Sequence, residues 1–141
     1  MNSWPAPPGG WPPGLWAVPY VGAASPGRVP PGSWLTGANC QVFAYGFLSL
    51  FKLACPALPS SQLWEDSDAT AVVDEPRPLD LALFNASYDP FGAHLGVWMA
   101  PDEIVHLCKE IGHPVVWPLE EFSRRSRYGT IVGFKRVNRG V

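Results

Sequence analysis

Thr36-Gly37-Ala38-Asn39-Cys40-Gln41-Val42-Phe43-Ala44-Tyr45-Gly46-Phe47-Leu48 is the stretch whose reading decides the fold. From Val42 to Leu53 the apolar residues are too dense for clean amphipathicity. The run also exceeds the usual strand, which rarely passes about ten residues, so it predicts a buried helix. Gly37 and Asn39 are start signals, with Asn39 the expected N-cap, and Cys40 then falls in the first turn. Unpaired backbone N–H groups and the positive end of the helix dipole there lower a thiol pKa and can hold a developing oxyanion. Position alone leaves a buried structural thiol as open a reading as a nucleophile.

Two histidines downstream give the cysteine its context. Pro78 to Phe84 reads as a strand, Ala93 to Met99 as a second, and Glu103 to Cys108 as a third. Turn chemistry separates them, with Asp89-Pro90 and Gly92 in one loop and Pro101-Asp102 in the next. Alternation puts His94, Gly96 and Trp98 on one face and Leu95, Val97 and Met99 on the other. Antiparallel pairing of the second and third strands then sets His94 beside His106. A thiol, an imidazole that removes its proton and a polar group that holds the imidazole are the parts of a thiol hydrolase.

These residues resemble a family. Gly37-Ala38-Asn39-Cys40-Gln41-Val42 is similar to the helix-opening Gly-x-Asp-Cys-Ser-Gly motif of the NlpC/P60 cell-wall peptidases. Ala93-His94-Leu95-Gly96-Val97-Trp98 resembles their His-Val-Gly-Ile-Tyr strand, and Ile104-Val105-His106 resembles the Met-Ile-His one hairpin later. Ala17-Val18-Pro19-Tyr20-Val21-Gly22 is similar to their Gly-Val-Pro-Tyr-x-x-Gly-Gly, and Leu79-Asp80-Leu81-Ala82-Leu83-Phe84 to their Gly-Asp-Leu-Val-Phe-Phe. The likeness runs from about Ala17 to Val137.

The resemblance implies a papain-like α+β fold, with a nucleophile-bearing helix packed on an antiparallel sheet. It implies Cys40 as nucleophile, His94 as general base and acid, His106 as the group orienting it, and Tyr20, Asn39 and Gln41 at the substrate. The implied reaction is hydrolysis of an amide in bacterial peptidoglycan stem peptides through a thioester, with no metal or other cofactor. Two positions depart from the family. Asn39 replaces an Asp that binds a free substrate ammonium, and Gln41-Val42 replaces Ser-Gly. A neutral contact is roughly half as strong as a charge-assisted one. Ser25 to Trp34, rich in Pro and Gly, lengthens the approach to Cys40 and is expected to reshape one wall of the cleft. Acyl transfer on the same scaffold and a non-catalytic binding or assembly role are the other readings.

Composition narrows the classes. The 141 residues suit one folded domain, with 47% hydrophobic and 16% charged. Net charge is −2 and no basic stripe interleaves with aromatics, so nucleic acid is not an expected partner. Arg124, Arg125 and Arg127 read as a solvated helix end. Residues 1–16, rich in Pro and Trp, read as an extended arm, and residues 17–141 as the catalytic domain. A basic n-region and a continuous apolar h-region are missing, as is any run long enough to span a membrane. The expectation is a monomer, either cytoplasmic or exported by a non-classical route. Cys40, Cys55 and Cys108 leave at least one free thiol, with a Cys55–Cys108 bridge open. A zinc site at His94, His106 and Cys108 lacks supporting ligand spacing. His113 reads as a loop histidine, and the acidic stretch from Glu65 to Glu75 as a solvated connection.

Overall fold

Asn39 caps the first helix as the sequence predicts, its side-chain oxygen accepting the Val42 N–H at 2.9 Å. The computed structural model describes residues 4–30 and 32–138. Helix α1 runs Cys40–Ser49, starting at the cysteine and ending before the expected Leu53. Lys52 sits at φ 64° and the Leu53 N–H donates back to the Leu48 carbonyl, which turns the chain off the helix axis. Two shorter helices follow, α2 at Ser60–Glu65 and α3 at Leu119–Ser123.

The strands are β1 Thr70–Val73, β2 Asp80–Asn85, β3 His94–Ala100, β4 Glu103–His106, β5 Val115–Trp117 and β6 Thr130–Val137. They form one antiparallel sheet in the order β1-β6-β2-β3-β4-β5. β2 begins at Asp80, two residues later than the sequence suggests. Leu79 is left-handed at φ 78°, and Asp80 accepts the Arg77 N–H, so Pro78 and Leu79 belong to a turn. The acidic stretch is also more than a connection, because Thr70–Val73 pairs with β6.

Alternation sorts the sheet into two faces. Leu81, Leu83, Leu95, Val97, Val105 and Leu107 pack with Phe43, Phe47 and Leu48 of α1. Ala82, Phe84, Ile104 and Cys108 pack on the opposite side with Trp117, Phe122 and Tyr128. The N-terminal segment folds back on the first of these layers. Trp4 is buried, its ring edge-on to Phe47 at 6.4 Å and its Nε1 donating to Glu103. Trp11 lies 5.9 Å from Phe47 and 5.8 Å from Phe51, and Leu15 completes the cover. The arm's Trp rings therefore rest on α1; residues 1–3 lie outside the described residues.

Gly96 sets how closely β3 and β4 approach. A Cβ there would lie 2.5 Å from Ile104 Cγ2, 3.4 Å from the Val105 carbonyl and 3.5 Å from His106 Cβ. Ile104 Cγ2 is held by a stiff β-branched side chain in a buried position, so it cannot swing clear. Gly96→Ala is expected to lower stability by about 2 kcal/mol, within the range for overpacking. Adding Ile104→Leu, which removes Cγ2, should recover part of that loss. Denaturant unfolding of the two singles and the double measures the coupling, and strictly additive losses would contradict the contact.

Candidate active site

The head of α1 meets the start of β3. A chain of side-chain hydrogen bonds ties the two: Asn39 Nδ2 donates to Gln41 Oε1, Gln41 Nε2 to Ser60 Oγ, and Ser60 Oγ to the Ala93 carbonyl. Tyr20 joins from the other side, where its backbone bridges Ala38 and its N–H donates to the Gly112 carbonyl. A cleft of about 190 Å³ opens at this junction. Cys40 and His94 both line it, with Tyr20, Asn39 and Gln41 beside them. The structure therefore brings the sulfur and the first histidine into one cavity.

His106 stands behind His94, within the sheet. His94 Nε2 and His106 Nδ1 are 2.8 Å apart, and the rings meet edge-on. His94 is 7% exposed and His106 fully buried, so only the first ring reaches the cleft. His106 is enclosed by Trp117 and Phe122, with ring centroids at 4.3 and 4.7 Å. Its Nε2 is buried and has no hydrogen-bond partner among the described residues. A neutral His94 that presents an unprotonated Nδ1 carries its proton on Nε2, donates to His106 Nδ1, and so fixes the tautomer of both rings.

Burial governs the electrostatics. It pushes the Cys40 thiol up to about 11, although the backbone N–H groups of Leu95, Gln41 and Cys40 itself oppose the shift. The depressed thiol expected from the helix start is thus overridden by desolvation. The Leu95 amide that acts on this sulfur belongs to the start of β3, next to His94. Burial lowers His94 to about 3 and takes His106 well below its ordinary value. At neutral pH the cleft holds a neutral thiol and a neutral imidazole, with a second neutral imidazole behind it.

This has a consequence for stability. Both histidines protonate near pH 6.5 in the unfolded chain and only at lower pH in the folded one, about 3 for His94. Their contribution is complete above about pH 6.5 and is lost as the pH falls toward the folded values. His106→Gln removes one of the two titrating groups. Its stability should fall less steeply than wild type between about pH 6 and 4, by about 1.4 kcal/mol per pH unit. Matching slopes in denaturant titrations would show that His106 is not buried neutral.

Several cleft residues had no sequence signal. Lys109, Arg127, Tyr128, Asn85 and Gly92 all line it. The Tyr128 ring lies 4.6 Å from His94 and its hydroxyl donates to Glu110 at 2.7 Å. Arg124 behaves as a solvated helix end, paired with Glu120 and Glu121, whereas Arg125, paired with Glu121, also lies over the Trp117 ring at 4.3 Å. Arg127 is exposed as well, but the short turn Ser126–Tyr128 sets it at the edge of the cleft. His113 bonds its neighbour's carbonyl and stays outside. All three cysteines are free, with Cys55 against the α1 layer and Cys108 in the opposite one. Among the described residues no three His, Cys, Asp or Glu side chains are grouped to hold a metal, and no helix is long and apolar enough to cross a membrane.

The same architecture recurs in solved structures. An NlpC/P60 family protein from Bacillus cereus superposes with a TM-score of 0.57 at 16% identity, over 73% of this chain and 32% of its own. A lipoprotein-like NLP/P60 family protein from Staphylococcus aureus gives 0.58 at 19%, over 89% and 38%. The NlpC/p60 domain of the peptidoglycan hydrolase SagA gives 0.55 at 18%, over 89% and 90%. The chain has the NlpC/P60 fold. It spans about a third of the first two neighbours and nearly all of the SagA domain. No protein-family model and no curated protein matches the sequence. In this NlpC/P60 fold the α+β arrangement read from the sequence is present, helix on antiparallel sheet.

Proposed function

We propose that the chain is a cysteine hydrolase that cleaves a peptide or amide bond in peptidoglycan stem peptides. The observation that carries this reading is the shared cleft of Cys40 and His94, with His94 Nε2 anchored 2.8 Å from His106 Nδ1. The likeness to the domain of a named peptidoglycan hydrolase supports the substrate class.

In this reading the chemistry runs through His94 Nδ1, the nitrogen left free by the bond to His106. It takes the Cys40 proton as the sulfur attacks the substrate carbonyl carbon. N–H groups at the head of α1 and at Leu95 receive the oxyanion that forms. Collapse breaks the C–N bond, His94 returns the proton to the leaving nitrogen, and water hydrolyses the thioester with His94 again as base. Because thiol and imidazole begin neutral, proton transfer belongs to the attack step and not to the resting enzyme. Tyr20, Asn39 and Gln41 line the substrate side, and residues 17–141 form the catalytic unit.

Mass spectrometry of purified peptidoglycan fragments after incubation tests this. Wild type should release fragments heavier in sum by one water per cut, and Cys40→Ala should release none. Intact fragments with wild type would refute it. Products capped by an added amine in place of water would instead mark an acyltransferase.

A further inference from the structure

Taking the Cys40 proton puts a positive charge on His94, and little around that ring balances it. On one side stands His106, neutral and enclosed by Trp117 and Phe122, with the Arg125 guanidinium over Trp117 adding a further cation. The described residues that line the cleft include two cations, Lys109 and Arg127, and no Asp or Glu. The remaining neighbour is Tyr128. Its ring is the nearest to His94 among the described residues, with centroids 4.6 Å apart and planes tilted by 37°, against 5.0 Å for His106 and 6.4 Å for Phe122. An aromatic face attracts a cation within about 6 Å.

The Tyr128 hydroxyl leads to a carboxylate. It donates to Glu110 Oε1 at 2.7 Å, and burial together with this bond keeps the phenol protonated. Tyr128 is buried, and both partners sit on closed turns. The Gly112 N–H donates to the Cys108 carbonyl around Glu110, and the Tyr128 N–H donates to the Arg125 carbonyl. The Glu110 charge favours a proton on His94, and the Arg127 charge opposes it. Arg127 meets the other Glu110 oxygen at 3.4 Å, a long and exposed contact that neutralises the carboxylate only in part.

We propose that Tyr128 and Glu110 are positioning residues for the base: the ring holds the His94 imidazole, and the carboxylate behind it stabilises the imidazolium that forms when Cys40 reacts. The S–H proton passes to His94 Nδ1 as the sulfur bonds an electrophilic carbon, and the imidazolium then gives it to the leaving group or to water. The proposal deepens the hydrolase reading, yet its chemistry needs only the Cys40–His94 pair.

Two readouts therefore test it: kcat and KM on peptidoglycan fragments, and the rate at which iodoacetamide alkylates Cys40 at about pH 7. Mass spectrometry of the Cys40 peptide follows the second, which forms an S–C bond, releases iodide and needs no peptide substrate. Glu110→Gln keeps an acceptor for the Tyr128 hydroxyl and removes only the charge. It should slow alkylation and kcat each by about five- to tenfold with KM little changed, the size of one partly screened charge near a forming cation. Tyr128→Phe keeps the ring, cuts the link to Glu110 and should lose a similar factor. Tyr128→Leu removes ring and link and should lose more. Arg127→Gln removes the opposing charge and should speed alkylation by about two- to threefold. Wild-type rates in both Glu110→Gln and Tyr128→Phe would overturn the proposal, even if Tyr128→Leu failed to fold. So would a loss in Arg127→Gln equal to that in Glu110→Gln, or a Cys40 that wild type leaves unalkylated. The expected alkylation series without cleavage by wild type would remove the hydrolase reading and leave the positioning pair standing. Cleavage with a flat series would do the reverse.

Discussion

Replacing Cys40 with alanine should abolish turnover of peptidoglycan fragments while leaving unfolding nearly unchanged. The proposed nucleophile has no substitute in the cleft, because the other two thiols lie elsewhere in the fold. The loss should therefore reach the detection limit and exceed the roughly 10² to 10⁴ typical of removing a general base. The structural cost is small by comparison. Cys40 is half-buried, the cap is made by Asn39, and the apolar core of α1 is built from Val42, Phe43, Phe47 and Leu48. Stopped turnover with an unfolding midpoint close to wild type is the expected pair of results. A large drop in stability would make Cys40 a packing residue, and a retained rate would discard it as nucleophile. Serine at the same position should be no better, since His94 offers a weak base to a far less acidic group.

Much of this arrangement was legible in the chain, and the limits were physical. Asn39 just ahead of a dense apolar run marked the start of α1, because capping chemistry is local. Alternation across residues 94–99 gave the two faces of β3, and with them the pairing of His94 with His106. Local signals failed where tertiary contact decides. β1 is four residues long, largely exposed, and made a strand only by pairing with β6. α2 is six residues with no side-chain cap, yet its Ser60 links Gln41 to β3. Lys109 enters the cleft from the turn after β4, and Arg127 from the short turn between α3 and β6. The thiol shows the same division, since the helix start was readable but the burial that outweighs it was not.

The two histidines should separate cleanly by mutation. In the proposed mechanism His94→Ala removes the group that carries the proton and should lower kcat by about 10³-fold or more. In that mechanism His106 acts through His94, so its loss should cost about 10- to 100-fold, as for residues that orient a ligand or base. The choice of substituent sharpens this. His106→Gln can present a side-chain oxygen to His94 Nε2–H and preserve the tautomer, whereas His106→Leu leaves that N–H buried without an acceptor. Leucine should therefore be the more damaging despite better suiting the Trp117 and Phe122 surround. Charge is the reason His106 cannot itself take the proton. An imidazolium there would sit fully buried against those rings, while His94 borders the cleft and feels the Glu110 carboxylate. The expected order of activity is wild type, His106→Gln, His106→Leu, His94→Ala, read from kcat with KM little changed. If His106→Leu proved as inactive as His94→Ala while remaining folded, the proton would have to pass through both rings and the division of labour drawn here would fail.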